Sequence, residues 1–158
     1  MLMSKILVPQ AVMTLSGVAS KKRMMQEIAD RAERVYGLDA TLVLPALIER
    51  EALGPTGVGR GVALPHARLS GLEDIRGLFV RLDKPVNYDA VDRQPVDLVF
   101  ALFAPDGNGV DHLKALATVS RVLRDPSFCS ALRANDDANK LYALMTSDET
   151  SRAAQSAA

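Results

Sequence analysis

The chain of 158 residues holds two histidines, His66 and His112. His66 lies in "GRGVALPHARL", behind a proline at the end of a short apolar run. His112 lies in "APDGNGVDHLKAL", just after the most apolar segment of the chain. An imidazole titrates near pH 6.5 and can trade protons. Its bare ring nitrogen can also take up an acyl or phosphoryl group. A satisfied core or surface ring with no chemical task is the plain alternative, and the two residues alone leave these readings open. A metal site is disfavoured, because it needs three or four ligands at tight spacing. This sequence offers two histidines, the single Cys129 and no HxxxH or CxxC. Neither metal nor cofactor is expected.

The neighbours of His66 favour an anion. Gly54, Gly57, Gly59 and Gly61 space the stretch "GPTGVGRG", and such a loop can turn backbone N–H groups toward negative charge. Arg50 and Arg60 bring guanidinium forks that match phosphate oxygens. A helix starting near Asp111 would set its positive end beside His112. The nucleotide fingerprints are absent, since no GxGxxG opens a helix and no GxxxxGK[ST] occurs. ATP binding is therefore not indicated. The residues by themselves support an anion site with a nucleophilic histidine and go no further.

The elements that must carry these residues can be read from periodicity. Met24, Met25, Ile28, Ala29, Ala32 and Val35 form one stripe of a helix over 20–36, with Ser20 as N-cap and Gly37 beyond its end. The Met stripe is read as core. A second helix runs from near Thr41 to Leu53, with Pro45 limiting where it can begin. Residues 54–61 read as loop, because four glycines in eight positions argue against a regular element. Strands are expected at 62–64, 78–82 and 96–103, the last so apolar that both its faces must be covered. The stretch 82–95 between the last two is turn-rich. Asp111 is read as the cap of a helix whose core stripe is Leu113, Leu116, Ala117, Ser120 and Leu123. Short helices follow at 127–133 and 137–145. The N-terminal stretch is an opening strand or loop, and the polar end of the chain is expected to fray. Strands interleaved with helices make an α/β sandwich, and both histidines fall at strand exits, where such folds build sites.

Composition narrows the partners. Lys plus Arg and Asp plus Glu number 19 each, so net charge gives no case for nucleic acid or an anionic membrane. Aromatics are 4% with no tryptophan, which removes stacking platforms for single strands. The lone Cys129 precludes an intrachain disulfide, reads as a small core residue, and fits a reducing compartment. With no apolar run near membrane length and no leader pattern, the expectation is a soluble cytoplasmic protein.

The segments "LIEREALGPTGVGRGVALPHARL", "PVNYDAVDRQPVDLVFALFAPDGNGVDHLKALATVSRVLRD", "SKKRMMQEIADRAERVYGLD" and "CSALRAN" resemble the enzyme IIA domains of the bacterial phosphotransferase system, mannitol–fructose superfamily, and most of all the nitrogen-regulatory type. The resemblance spans nearly the whole chain. It implies a single-domain mixed β-sheet with helices on both faces, over residues 1–150, and a flexible tail at 151–158. It implies that His66 is the phosphoryl acceptor, through Nε2, that His112 and Arg50 complete the catalytic site, and that Thr56 and Gly57 bind phosphate. Pro55 departs from the family's usual serine, which removes one hydroxyl. The resemblance also implies a phosphocarrier partner, HPr or its nitrogen paralogue NPr, and regulatory targets such as potassium transport proteins or sensor kinases. The rival readings are a sugar-specific IIA that passes phosphate to a separate IIB, and a binding module gated by phosphorylation alone.

Overall fold

The computed structural model describes residues 2–107 and 109–157, with side chains as far as Ser147. In chain order it contains α1 (Met3–Ile6), a 3₁₀ turn (Pro9–Ala11), β1 (Val12–Leu15), α2 (Lys21–Tyr36), α3 (Ala40–Ala52), β2 (Gly57–Gly59), β3 (Val62–Ala63) and β4 (His66–Leu69). β5 (Arg76–Val86), β6 (Val96–Pro105), α4 (Gly109–Leu123), α5 (Pro126–Arg133) and α6 (Ala138–Ala157) follow. This is a mixed sheet of six strands with helices on both faces. β6 lies at its centre. β5 runs antiparallel along one side of β6, and β3 and β4 run parallel to it in succession along the other. β1 extends the sheet beyond β5, and β2 extends it beyond β3.

The central strand shows why the layers form. Residues of both parities along β6 are buried, from Leu98 to Ala104 without a break. A strand with two apolar faces must be covered on each, and every fully buried Leu, Val or Phe contributes about 1.5–3 kcal/mol. The helices supply the covering stripes. In α2, Met24, Met25, Ile28, Ala29 and Ala32 are buried, Ser20 Oγ accepts from the Arg23 amide, and Gly37 ends the helix at φ 70°. Cys129 is buried in the core, and Asp125 caps α5 by accepting from the Ser127 and Phe128 amides.

Five expectations are corrected. Residues 54–61 are not all loop: β2 and β3 form a hairpin across the two-residue turn Arg60–Gly61. Both turn residues have positive φ, 57° and 79°, the geometry that closes tight hairpins and that glycine supplies readily. His66 does not follow the strand in a loop; it opens β4, opposite Leu102. Pro65 separates β3 from β4 because it has no N–H for the ladder, while its carbonyl still accepts from the Leu102 amide at 3.0 Å. The buried stripe of α4 is His112, Ala115, Val119, Val122 and Leu123, leaving Leu113 67% exposed. The helix starts at Gly109, so Asp111 stands inside its first turn instead of capping it. Pro45 lies in the second turn of α3, later than the position proline tolerates best. That helix start is held by Asp39 and Glu33, which accept from the Thr41 and Ala40 amides. The last helix continues to Ala157 in its backbone, and the expected fraying of the tail falls on side chains outside the described residues.

Candidate functional site: two neutral histidines under an unpaired arginine

His66 reaches the site from the first position of β4 and His112 from the first turns of α4. The topology that sets β4 beside β6, with α4 leaving the end of β6, brings the two rings together. Their centroids are 5.3 Å apart and their planes cross at 72°, edge against face.

The partners of His66 fix its tautomer. Its Nδ1 lies 2.9 Å from the Leu64 carbonyl. A carbonyl only accepts, so Nδ1 carries the proton. On the other side, Arg50 Nε donates to His66 Nε2 at 3.2 Å. A guanidinium only donates, so Nε2 holds the lone pair. The two constraints agree on a neutral ring with its bare nitrogen facing a cation. Burial depresses the His66 pKa, Arg50 adds to the depression, and the Leu64 carbonyl and Glu51 oppose it. His112 is 6% exposed. Burial first, then His66 and Arg68, push its pKa down to about 4. Both rings are therefore uncharged at neutral pH. His112 Nε2 is buried with no hydrogen-bond partner among the described residues, a position that costs free energy until something fills it.

Arg50 comes from the last turn of α3, and its Nη1 donates to the Gly54 carbonyl at 3.0 Å. No carboxylate pairs with it among the described residues. The adjacent Glu51 is committed elsewhere. It holds Lys21 Nζ at 2.7 Å and accepts from both the amide and the hydroxyl of Thr56. Tyr88, fully buried, meets the Thr56 hydroxyl at 2.9 Å. Since Thr56 donates to Glu51, Tyr88 is the donor in that second bond. Burial drives the Tyr88 phenol pKa upward, so it stays protonated and able to donate. Lys21 closes the ring by donating to the Tyr88 carbonyl at 2.9 Å. This network locks the Gly54–Thr56 turn whose Gly54 carbonyl takes the Arg50 guanidinium.

The structure thus brings His66, His112 and Arg50 together. It turns the Thr56 hydroxyl into the network behind them, with Thr56 only 4% exposed. Gly57 sits against the loop that follows β5: a Cβ there would lie 2.7 Å from Ala90 Cβ, too close for any side chain. Arg60 occupies the hairpin turn with its amide donating to Asp92 at 2.9 Å, and no contact among the described residues ties it to His66. Arg68 is the cation that sequence reasoning missed. It is exposed and lies two residues beyond His66, on the same face of β4. Its guanidinium approaches Gly109 at the start of α4, 3.2 Å from where a Cβ would stand. The signal available was the period of two along a strand, obscured by reading His66 as loop.

The fold is a mixed α/β sheet that presents a neutral, cation-faced histidine beside a second one. Residues 5–148 match the family described as "Phosphoenolpyruvate-dependent sugar phosphotransferase system, EIIA 2", and the chain belongs to that family. Within it, the matches point to nitrogen regulation. A nitrogen regulatory protein of Bradyrhizobium diazoefficiens is 47% identical over 140 residues, covering 89% of this chain and 92% of its own. The crystal structure of nitrogen regulatory protein IIA-Ntr from Neisseria meningitidis superposes with TM-score 0.83 at 35% identity, covering 90% of this chain and 98% of its own. IIA mannitol from Escherichia coli shares the fold at TM-score 0.70 and 18% identity, over 85% of this chain and 96% of its own. No helix among the described residues is long and apolar enough to cross a membrane.

Proposed function

We propose that this protein is a phosphohistidine carrier of a nitrogen-related phosphotransferase system. In this reading, it takes a phosphoryl group on His66 from a phosphorylated carrier protein, HPr or NPr, and its phosphorylation state controls partner proteins in the cytoplasm. The observation that carries this reading is the tautomer of His66. Its bare Nε2 faces Arg50 at 3.2 Å while Nδ1–H is held by Leu64. In the transfer, the Nε2 lone pair attacks phosphorus and the donor's N–P bond breaks. The electron pair of that bond returns to the donor imidazole. The transition state is loose, with charge on the equatorial oxygens. Arg50 turns its Nε–H from Nε2 to one of those oxygens, and its unpaired charge offsets theirs. Loop amides near Gly57 and the N-terminal end of α4 add to that field. His112 offers its unpartnered Nε2 to another oxygen, as a donor when that nitrogen carries the ring proton. Leu64 anchors the ring throughout. Thr56 serves by fixing the turn that holds Arg50.

The carrier docks on the face that carries His66 and the start of α4. Val110 and Leu113 flank His112 on α4 and are 63% and 67% exposed. The enzyme IIA domain covers residues 1–150. In this reading, its regulatory targets are proteins such as potassium transport proteins or sensor kinases. Regulation is supported over delivery of phosphate to a sugar IIB because the relatives that match 80–90% of this chain at 35–47% identity are nitrogen regulatory proteins, whereas a fructose-specific EIIA component, 38% identical, matches only 61% of it. The test is incubation with phosphorylated carrier followed by peptide mass spectrometry. One phosphoryl group should appear on the peptide that contains His66. A protein that stays unmodified, or one labelled equally after His66→Ala, would overturn the assignment. Efficient onward transfer to a sugar IIB would move the protein to the transport reading.

A further inference from the structure

A second cationic site lies away from the histidines, between α2 and the start of β5. It is a cavity of about 600 Å³, within the usual range for small-molecule sites. Arg31 and Arg34 of α2 and Arg76 of β5 line it, with Val8, Val35 and Tyr36 forming apolar walls. No carboxylate among the described residues lines the cavity. None of its lining residues touches His66, His112 or Arg50 among the described contacts.

The three guanidinium groups are poorly compensated. Arg31 and Arg34 stand three apart on one helix, where like charges repel. Arg31 Nη1 donates to the Gln10 carbonyl at 3.2 Å, but its Nε is buried without a hydrogen-bond partner. Burial and Arg34 lower the Arg31 pKa, and Glu27 only partly offsets them. Glu27 itself pairs with Arg23 at 2.8 Å. Arg76 lies over the Tyr36 ring, 5.8 Å from its centroid. Its one ion pair among the described residues, with the exposed Asp74, is long at 3.7 Å. The Tyr36 hydroxyl is spent on the Gly77 carbonyl at 2.6 Å, so the tyrosine supplies a ring wall.

Repelling cations around an open cavity are relieved together by one kind of guest, an anion. From the convergence of Arg31, Arg34 and Arg76 on this cavity, we propose that it binds a small dianion, a phosphate-bearing or dicarboxylate metabolite. Guanidinium forks match both groups in bidentate geometry, and the apolar walls strengthen the attraction by excluding water. The site would give the protein a small-molecule input separate from phosphorylation.

The test is calorimetric titration of the full chain at constant ionic strength, with inorganic phosphate in one arm and succinate in the other. Saturable one-site binding is expected in at least one arm. It should persist in Arg50→Ala, which separates this cavity from the histidine site, and weaken about tenfold or more in Arg34→Gln and Arg31→Gln, the loss of a charge-assisted bond. Arg34 is exposed, so its substitution leaves folding intact. Tighter phosphate identifies a phosphorylated ligand and tighter succinate a dicarboxylate; equal affinities still uphold the shared site. Absence of saturable binding up to about 20 mM would overturn the proposal. So would binding lost in Arg50→Ala, or binding unchanged in both Arg34→Gln and Arg31→Gln.

Discussion

Arg50 and Arg133 show two uses of the same side chain. Arg133, at the end of α5, meets Asp97 with two parallel bonds of 2.9 Å each, one from Nε and one from Nη2. Its Nη2 also donates to the Arg60 carbonyl at 2.8 Å, and its own carbonyl accepts from Arg81. Asp97 raises the Arg133 pKa further. The charge is matched and the geometry is complete, so Arg133 clamps the β2–β3 hairpin turn to α5. Among the described residues Arg50 meets only neutral acceptors, the His66 ring and the Gly54 carbonyl. Its neighbour Glu51, the carboxylate best placed to neutralise it, is held by Lys21 and Thr56. A guanidinium that is matched builds structure. One that is left unmatched keeps its charge for a guest.

The sharpest way to break this comparison is at the acceptor itself. His66→Ala should abolish phosphoryl uptake while the protein stays folded, with an unfolding free energy from urea within about 1–2 kcal/mol of the parent, the cost of the two hydrogen bonds the ring makes. Uptake that survives the substitution would remove His66 from the site. The two arginines come next, and they should separate cleanly. Arg50→Ala should slow transfer by about 10²–10³-fold, the cost of losing a preorganised donor to developing charge, with little change in stability. Arg133→Ala should do the reverse, costing about 1–3 kcal/mol through the stranded Asp97 while transfer stays within a few-fold. Urea unfolding and single-turnover transfer, measured on both variants, decide the matter. A slower transfer for Arg133→Ala than for Arg50→Ala would erase the distinction.

Thr56 sharpens the comparison, because it holds Glu51 away from Arg50. Thr56→Val should cost about 1–3 kcal/mol by leaving Glu51 and Tyr88 short of a partner, and Thr56→Ser should restore most of that loss. A Thr56→Val variant as stable as the parent would show the network to be incidental. A separate test is pH. His112 has its pKa depressed from 6.5 to about 4, so below pH 6.5 the unfolded chain binds a proton that the folded chain refuses. Stability should fall as pH drops from about 6.5 toward 4 and be independent of this group above that window. His112→Gln should flatten that part of the profile, as followed by the thermal midpoint. An identical slope in the variant would place the acid sensitivity elsewhere.

The rule that α/β folds build sites at strand exits holds for His112, which follows β6, but not for His66, which opens β4; the pairing of β4 with β6 is what brings the two rings to 5.3 Å. The sequence carried α2 with both its caps, and the buried central strand. Other features were hidden for physical reasons. The β2–β3 hairpin is so short that its glycines and positive φ values look like loop. The phase of α4 slipped because the helix begins at Gly109, two residues before Asp111, and a shift of that size turns His112 inward and Leu113 out. Arg50, Arg60, Arg68 and Arg133 are alike on paper. Only the contacts around each one separate the clamp from the open charge, and those contacts join residues far apart in the chain. Thr56 was legible as important, but its role depended on Tyr88, which lies 32 positions away.

The central claim is that His66 holds a bare Nε2 toward an unmatched cation and takes phosphate there. Nitrogen-15 NMR of imidazole-labelled protein at neutral pH, recorded before and after exposure to phosphorylated carrier, tests it directly. The account expects a proton on His66 Nδ1 and none on Nε2 beforehand, and a phosphorus-coupled Nε2 of His66 afterwards. A protonated Nε2 in the free protein, or phosphate on Nδ1 or on His112, would contradict it.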